Sequence, residues 1–339
     1  MRSTAPSSKD HGERDVLIDA RGVSEYEGPP LYLFIGISTA GSSVQRLFPR
    51  WTATFAPSGV LRGVDLPDTA PAQAFRALVV AMRDNPYVAG AVITSHKLRL
   101  YHAIHDLVEP AEPLVQVTHE INSLDTRSGL VAYARDPQSL DVILDTTGGP
   151  GVSTTRPVYC IGSGGAAVAL LLAMGLDIPA SISQERTVTR SPGNARGPLT
   201  ICGRSPESLQ EVRDVQERAN LLNAPIKLVL ATTPTDIAGV IRQAPEGSVV
   251  INATGLGKLS ADSPLAGPDD FPKRVLAWDF NYRGPLTFLQ QASRAGLATE
   301  DGWEYFLAGW AAALAAISGS ELTVERLTAI RAASGELQS

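Results

Sequence analysis

The sequence predicts an α/β protein of two domains, the second built on a doubly wound parallel sheet. Three patterns carry this expectation. From Val158 a short β-prone run meets a glycine turn and then a run of helix formers that ends near Met174. Strand-length apolar runs alternate with helical segments from there to Phe280, the alternation that builds a parallel sheet with right-handed crossovers. Ahead of the turn, three more apolar runs alternate with helical periodicity in the same way.

Residues 1–30 are rich in Ser, Asp, Glu and Arg and end in Gly28-Pro29-Pro30, so a loose or disordered extension is expected there. Leu31 to Ile37 is continuously apolar, as a strand buried on both faces is. Val44, Leu47, Phe48 and Trp51 then recur at helical spacing from a start near Ser42. Val60 to Leu66 suits a second strand. Thr69 and Pro71 mark a helix start before the stripe Phe75, Leu78, Val79 and Met82. Gly90 to Thr94 suits a third strand, and a helix from Lys97 carries Leu100, Tyr101, Ile104 and Leu107. Leu114 to Leu124 and Gly129 to Ala134 read as two shorter strands. Asp136-Pro137 opens a connecting helix, and the Thr, Gly and Pro content from Thr146 to Pro157 suits a hinge. Together these place an α/β domain at about residues 31–150.

In the glycine turn, Gly162 permits the sharp bend and Gly164 lets the backbone approach a pyrophosphate. Ala167 is small where helix and strand pack, and the free N–H groups of the helix start would face the diphosphate. A glycine turn before a helix also serves purely structural ends. The strand before it and the βαβ pattern after it favour a Rossmann-type dinucleotide-binding domain over residues 151–300. Its strands are expected at Val158–Ile161, Leu199–Gly203, Ile226–Ala231, Ser248–Asn252 and Val275–Phe280. Residues 178–197 read as a surface loop in the first crossover. A long helix follows, opened by the capping pair Asp301 and Glu304 and stopped by Gly319. It carries Trp303, Phe306, Leu307, Trp310, Leu314 and Ile317, and over 301–320 it is expected to pack back on the first domain, leaving a C-terminal helix or tail at 321–339.

Composition narrows the partners. The chain has 29 basic against 35 acidic residues and no basic tract, which argues against nucleic acid or an anionic membrane. Cys160 and Cys202 lie in apolar runs and read as small buried thiols rather than a disulfide framework. The longest apolar run, about Ala166 to Leu176, is too short to span a bilayer. Met1 to Arg14 has no apolar signal core, so a cytoplasmic location is expected. His102 and His105 share a helix face without a third ligand nearby, so no metal is expected. What remains is a small-molecule substrate and a monomer or homodimer.

The chemistry is expected outside the carboxyl ends of the strands. Lys97 follows the third strand in Ile93-Thr94-Ser95-His96-Lys97, at the positive end of a helix dipole. A lysine so placed, in a cleft, has its pKa lowered toward the range of proton exchange. Asp136 starts the helix before Pro137 and stays ionised there, available to pair with Lys97. Each has a plain alternative: an exposed lysine at a helix start, and an ordinary N-cap aspartate.

At this point the chain resembles the shikimate dehydrogenase family, in order and over roughly residues 31 to 320. Val92-Ile93-Thr94-Ser95-His96-Lys97 is similar to the family segment that ends in the catalytic lysine. Glu120-Ile121-Asn122-Ser123 resembles its Ala-Val-Asn-Thr segment, which implies substrate binding by Asn122. Ala134-Arg135-Asp136 stands where the family has Asn-Thr-Asp with the catalytic aspartate. Gly162-Ser163-Gly164-Gly165-Ala166 matches the glycine loop, and Asn252-Ala253-Thr254-Gly255-Leu256-Gly257 the Asn-x-Thr-x-x-Gly segment near the nicotinamide. Asp279 to Thr287 resembles the Tyr-Asp-x-x-Tyr…Thr segment and places Tyr282 near the substrate.

The resemblance implies reversible hydride transfer between a nicotinamide and a ring alcohol or ketone. Lys97 would exchange the proton and Asp136 would hold it. The second Rossmann strand ends in Gly203-Arg204-Ser205 instead of an acid, and Arg204 suits a 2′-phosphate, so NADP is favoured over NAD. The lesser alternative is a helix-start arginine before Ser205-Pro206. The departures lie in the ring-reading positions. Ser42 remains, but Val44 replaces the family's second serine, with Ser43 between them. Ile93 replaces its threonine beside Thr94, and Gly309 its helix glutamine. Arg135, with Arg46, would anchor an acidic group in a different register. Three readings stay open: a dehydrogenase of an altered ring substrate, a genuine shikimate 5-dehydrogenase reducing 3-dehydroshikimate, and a non-catalytic nucleotide sensor.

Overall fold

The structure, a computed structural model, describes residues 16–55, 59–108, 113–127, 129–145, 156–176, 178 and 196–335. Among these, contacts divide the chain into two compact units: residues 16–135 with 310–335, and residues 136–178 with 196–309.

The first unit is built on β1 (Leu31–Gly36), β2 (Val60–Asp65), β3 (Val88–Ile93), β4 (Ser123–Asp125) and β5 (Val131–Tyr133), in the order β2-β1-β3-β4-β5. β1 runs parallel to β2 and β3, whereas β4 runs antiparallel to both its neighbours, β3 and β5. β1 and β3 are buried along their whole length, as their unbroken apolar sequences require. The helices of this unit are α1 (Ala20–Glu25), α2 (Val44–Phe55), α3 (Ala72–Asp84), α4 (Lys97–Ile104) and α5 (Pro113–Thr118). Val44, Leu47, Phe48 and Trp51 form the buried stripe of α2, and Phe75, Leu78, Val79 and Met82 that of α3.

Two expectations need correction here. Leu114 to Thr118 is helical, not strand. Val115, Val117 and Thr118 raise β propensity, but Leu114, Val115 and Thr118 bury one side of a helical turn, and the Thr118 hydroxyl donates back to the Leu114 carbonyl (2.8 Å). Residues 16–30 are also docked, not loose; residues 1–15 lie outside the described part. Asp19 caps α1 by accepting the Gly22 N–H at 2.7 Å. The Ile18 N–H donates to the Gly63 carbonyl and the Gly63 N–H to the Val16 carbonyl. Buried Asn85 donates through Nδ2 to the carbonyls of Val23 (2.7 Å) and Tyr26 (2.9 Å). Backbone bonds, one distant asparagine and the single buried Val23 hold this segment, too little to leave a hydrophobic pattern to read.

The second unit holds β6 (Val158–Ile161), β7 (Leu199–Gly203), β8 (Ile226–Leu230), β9 (Val249–Asn252), β10 (Leu276–Asp279) and β11 (Ala298–Glu300), with α6 (Asp136–Asp145), α7 (Gly165–Gly175), α8 (Pro206–Arg218), α9 (Pro234–Ile241) and α10 (Thr287–Arg294). Every strand pair is parallel, in the order β11-β10-β9-β6-β7-β8. The chain runs outward from β6 through β7 and β8, then restarts at β9 on the other side. That reversal between β6 and β9 is where doubly wound sheets bind ligands. β11, at three residues, is too short to have shown a pattern. Ala167 to Gly175 of α7 is buried throughout. Arg196 ties α6 to α7, donating to Asp141 (2.8 Å) and the Ala173 carbonyl (2.6 Å). Most of the Thr146–Pro157 hinge and of the 178–197 loop lies outside the described residues.

α11 (Trp303–Ile317) counts with the second unit up to Gly309 and with the first from Trp310. Asp301 accepts the Trp303 N–H at its start (2.9 Å). At its end Gly319 takes φ +61, with Gly319 N–H to Ala316 and Ser320 N–H to Ala315, a Schellman stop. Trp310 packs on Phe34 and Trp51, with ring centroids 5.1 and 5.9 Å away. α12 (Val324–Ser334) packs on α2, where the Trp51 indole donates to the Ser334 hydroxyl (2.9 Å).

Because Asn85 holds two carbonyls of the N-terminal segment, Asn85→Ala is expected to lower stability by about 1–3 kcal/mol. Urea unfolding measures the loss, and limited proteolysis of the variant should cut first within residues 16–30.

Candidate functional site

The second unit carries an open cleft of about 650 Å³ over the end of β6. Gly162 leaves the strand at φ +117, and a Cβ there would lie 2.9 Å from the Ala253 carbonyl oxygen. No other residue fits that bend at that distance from neighbouring backbone. Two hydrogen bonds of 2.8 Å hold the turn, from the Gly162 N–H to the Cys202 carbonyl and from the Ala253 N–H to the Ile161 carbonyl. The Ser163 hydroxyl bonds that of Ser208 at 2.7 Å. Gly164 caps α7 without any side-chain bond, and a Cβ on it would touch nothing. Open space therefore lies beside its Cα. Gly165 and Ala166 open α7, and Ala167 is fully buried against the sheet.

Arg204 and Ser205 line one side of this cleft. Arg204 stands exposed just past β7. Ser205 is the N-cap of α8: its hydroxyl accepts the Ser208 N–H (3.1 Å), and Pro206 follows at the first helical position. No acid ends β7; Glu211, within α8, is the acidic residue lining the cleft.

Ala253, Thr254 and Leu256 line another side. Asn252, fully buried, organises this loop. Its Oδ1 accepts the Thr254 N–H (3.1 Å) and hydroxyl (2.7 Å), and its Nδ2 donates to the Leu256 carbonyl (3.2 Å) and to Asp279 (3.1 Å). The Thr254 hydroxyl accepts the Leu256 N–H (3.2 Å). Asp279 and Asn281 were not singled out from the sequence as site residues; one weak signal is that Asp279 interrupts an apolar run. Asp279 also accepts the N–H (2.9 Å) and Nδ2 (2.8 Å) of Asn281, which donates to Leu256 as well (3.1 Å). Burial pushes the Asp279 carboxyl up to about 6, against these hydrogen bonds, with a smaller push from Asp301. Gly257, at φ +88, accepts the Leu286 N–H and closes the loop.

The polar residues expected to read a substrate divide between the units. In the first, Thr39 donates twice to Asp65 Oδ1 (2.8 and 2.6 Å) and accepts the Ser42 N–H, so the buried Ser42 sits on a fixed loop. Thr94 is exposed past β3. Lys97 is half-buried at the first position of α4, after His96, whose Nε2 donates to the Leu66 carbonyl (2.7 Å). The Lys97 carbonyl accepts the Ile121 N–H, and the Asn122 carbonyl accepts the Ile93 N–H, which brings the Thr94, Lys97 and Asn122 segments together. Asn122 Oδ1 accepts the Arg135 N–H (2.9 Å), and the buried Arg135 guanidinium lies 4.9 Å above the Tyr133 ring. Arg46 is exposed on α2, while Val44 and Ile93 are core residues. Asp136 opens α6 and falls in the second unit. Tyr282, also there, rests against Phe306 (4.3 Å) and Trp303 (5.6 Å).

Cys160 and Cys202 are buried free thiols. Burial pushes both up, Cys202 to about 11. Among the described residues no group of His, Cys, Asp and Glu could hold a metal ion, and no helix is long and apolar enough to cross a membrane.

No protein-family model matches this chain, and no curated protein matches it in sequence. Solved structures do. A shikimate 5-dehydrogenase from Thermus thermophilus, in complex with NADP(H) and shikimate, is 20% identical over 89% of this chain and 99% of its own, with a TM-score of 0.62. A shikimate 5-dehydrogenase from Listeria monocytogenes, in complex with shikimate and NAD, gives 16%, 89%, 96% and 0.65. A quinate dehydrogenase from Corynebacterium glutamicum, in complex with NAD, gives 17%, 91%, 99% and 0.66. This chain therefore has the fold of the shikimate and quinate dehydrogenases.

Two outcomes follow from the geometry. Gly162→Ala should lower stability by about 1–3 kcal/mol through backbone strain and abolish any dinucleotide binding, read by thermal unfolding and NADPH titration. With both thiols neutral at pH 8, native protein should react with a disulfide reagent far more slowly than urea-unfolded protein.

Proposed function

We propose that this chain is a nicotinamide-dependent dehydrogenase that interconverts a ring alcohol and a ketone, with NADP the favoured dinucleotide. The observation that carries the reading is the Gly162–Ala167 turn at the switch point of the sheet, open on its Gly164 side. The chain's own residues fit a dinucleotide. Backbone N–H groups at the start of α7 suit a diphosphate, and exposed Arg204 with the Ser205–Ser208 pair suits a 2′-phosphate. Asn252, Thr254 and Gly257 form the loop that would flank the nicotinamide. The solved structures of this fold hold NADP or NAD, which supports the cofactor class; Arg204 supports NADP.

The bound nicotinamide supplies or accepts the hydride. Lys97 gives the proton to the substrate oxygen as a ketone is reduced, and takes it back when the alcohol is oxidised. Lys97 stands half-buried at the first position of α4. Asp136 is the carboxylate that would hold Lys97 for that exchange. Ser42, Thr94, Asn122, Arg135 and Tyr282 read the substrate.

The substrate is an altered ring compound with an acidic group. Val44 and Ile93 are core residues with no hydrogen bond to offer, so shikimate's polar groups would lose partners at a cost of about 1–3 kcal/mol each. Ser42, Thr94 and Asn122 keep enough polarity for a related polyol acid, with Arg135 the cation for its anion. Shikimate itself as substrate is the second reading, supported by those same three residues and by the shikimate-bound structures of this fold.

Steady-state assays of purified protein with NADP and a panel of shikimate, quinate, aminoshikimate and cyclitols test this. Lys97→Ala should lower kcat by about 10²–10⁴-fold. Arg204→Ala should raise the KM for NADP by about tenfold and leave that for NAD within about twofold, as loss of one charge-assisted contact predicts. Absence of turnover across the panel, with NADPH still bound, would instead favour a nucleotide sensor.

A further inference from the structure

Ala253, Thr254 and Leu256 line the cleft and touch its open space. Behind the Ala253–Leu256 wall lies a buried polar set that does not. The Asp279 carboxylate collects three N–H donors, two from Asn281 and one from Asn252. The same two amide groups also donate to one carbonyl, that of Leu256, at 3.2 and 3.1 Å. Leu256 is a wall residue of the cleft. Asp279 is fully buried, and Asn281, which immediately precedes Tyr282, nearly so.

We propose that Asp279 is a positioning residue of the cofactor cleft: through Asn252 and Asn281 it holds the Leu256 carbonyl, and with it the wall that would face the nicotinamide half of the dinucleotide. Each amide has two N–H bonds to give, and the carboxylate aims them. Without an acceptor at Asp279, each amide loses one of its two acceptors, and the Leu256 carbonyl is held by two less firmly aimed donors. The Asn252 amide is then fixed only by Thr254 and Leu256, so the wall loosens at Thr254 as well. On the far side of the loop, Gly284 packs so close that a Cβ would lie 2.2 Å from the Lys258 carbonyl, and Leu286 bonds Gly257. That clamp is independent of Asp279 and holds the outer end of the loop, so the effect of Asp279 falls on residues 253–256. Keeping an acid in this place is costly, since burial pushes its carboxyl upward. A purely apolar filling would spare that cost and lose the aimed amides.

The proposal rests on the dinucleotide reading of the cleft. Its test compares two nucleotides: NADPH, which spans the cleft, and 2′,5′-ADP, which reaches only the Arg204 side. Asp279→Asn keeps the shape but puts an amide N–H where an acceptor is needed. It should raise the Kd for NADPH by about tenfold and that for 2′,5′-ADP by less than about twofold, the size of one charge-assisted hydrogen bond. A role in overall stability alone would weaken both nucleotides together or neither, and either result overturns the proposal. Should Asp279→Asn not fold, Asn281→Ala decides instead, because it leaves the carboxylate and cuts one of the two bridges to Leu256; the same split is expected. Wild-type protein that binds neither nucleotide overturns the dinucleotide reading itself, and is distinguished from failure of the positioning role by the unmutated control.

Discussion

The second unit depends on one close approach, the Gly162 backbone against the carbonyl of Ala253. β6 and β9 are neighbouring parallel strands, and one leads into α7 while the other leads into the 253–257 loop. A Cβ at Gly162 would push those exits apart. Because none is there, the turn and the loop sit side by side, and the crevice at the switch point is lined by backbone on both. Arg204, Thr254 and Leu256 matter for ligand chemistry only because this approach puts them around one space.

The two units solve their polar problems in the same manner, by giving a buried side-chain oxygen to neighbouring backbone. Asn122 Oδ1 locks the exit of β5 to the start of β4, and Asn252 Oδ1 locks the turn after β9. In both cases an asparagine expected to meet a ligand also spends its oxygen on the protein. The functional reading of such residues is then one of shape: they set where neighbouring groups point. Asp65, exposed at the end of β2, fixes Thr39 and so the loop of Ser42 from the surface.

Much of the fold was legible because it rests on periodicity. Leu31–Gly36 and Val88–Ile93 are unbroken apolar strands, and Phe75, Leu78, Val79 and Met82 mark their helix face without ambiguity. The glycine turn was legible because its spacing has a steric cause. The 114–118 helix was misread as strand because β-branched residues were placed there by packing, not by propensity. The docked segment 16–30 was misread because its ties are backbone bonds, one buried Val23 and the side chain of Asn85, 59 residues beyond Tyr26. Asp279 and Asn281 escaped for a related reason: what makes them matter is three-dimensional convergence on Leu256, and no linear spacing encodes that.

The most direct test of the central claim is a hydrogen-exchange footprint of the wild-type protein with and without NADPH. The account predicts slower exchange concentrated in three stretches, 161–168, 203–208 and 253–257, which the sequence separates and the cleft brings together. Protection confined to other segments, or no protection at saturating NADPH, would contradict it.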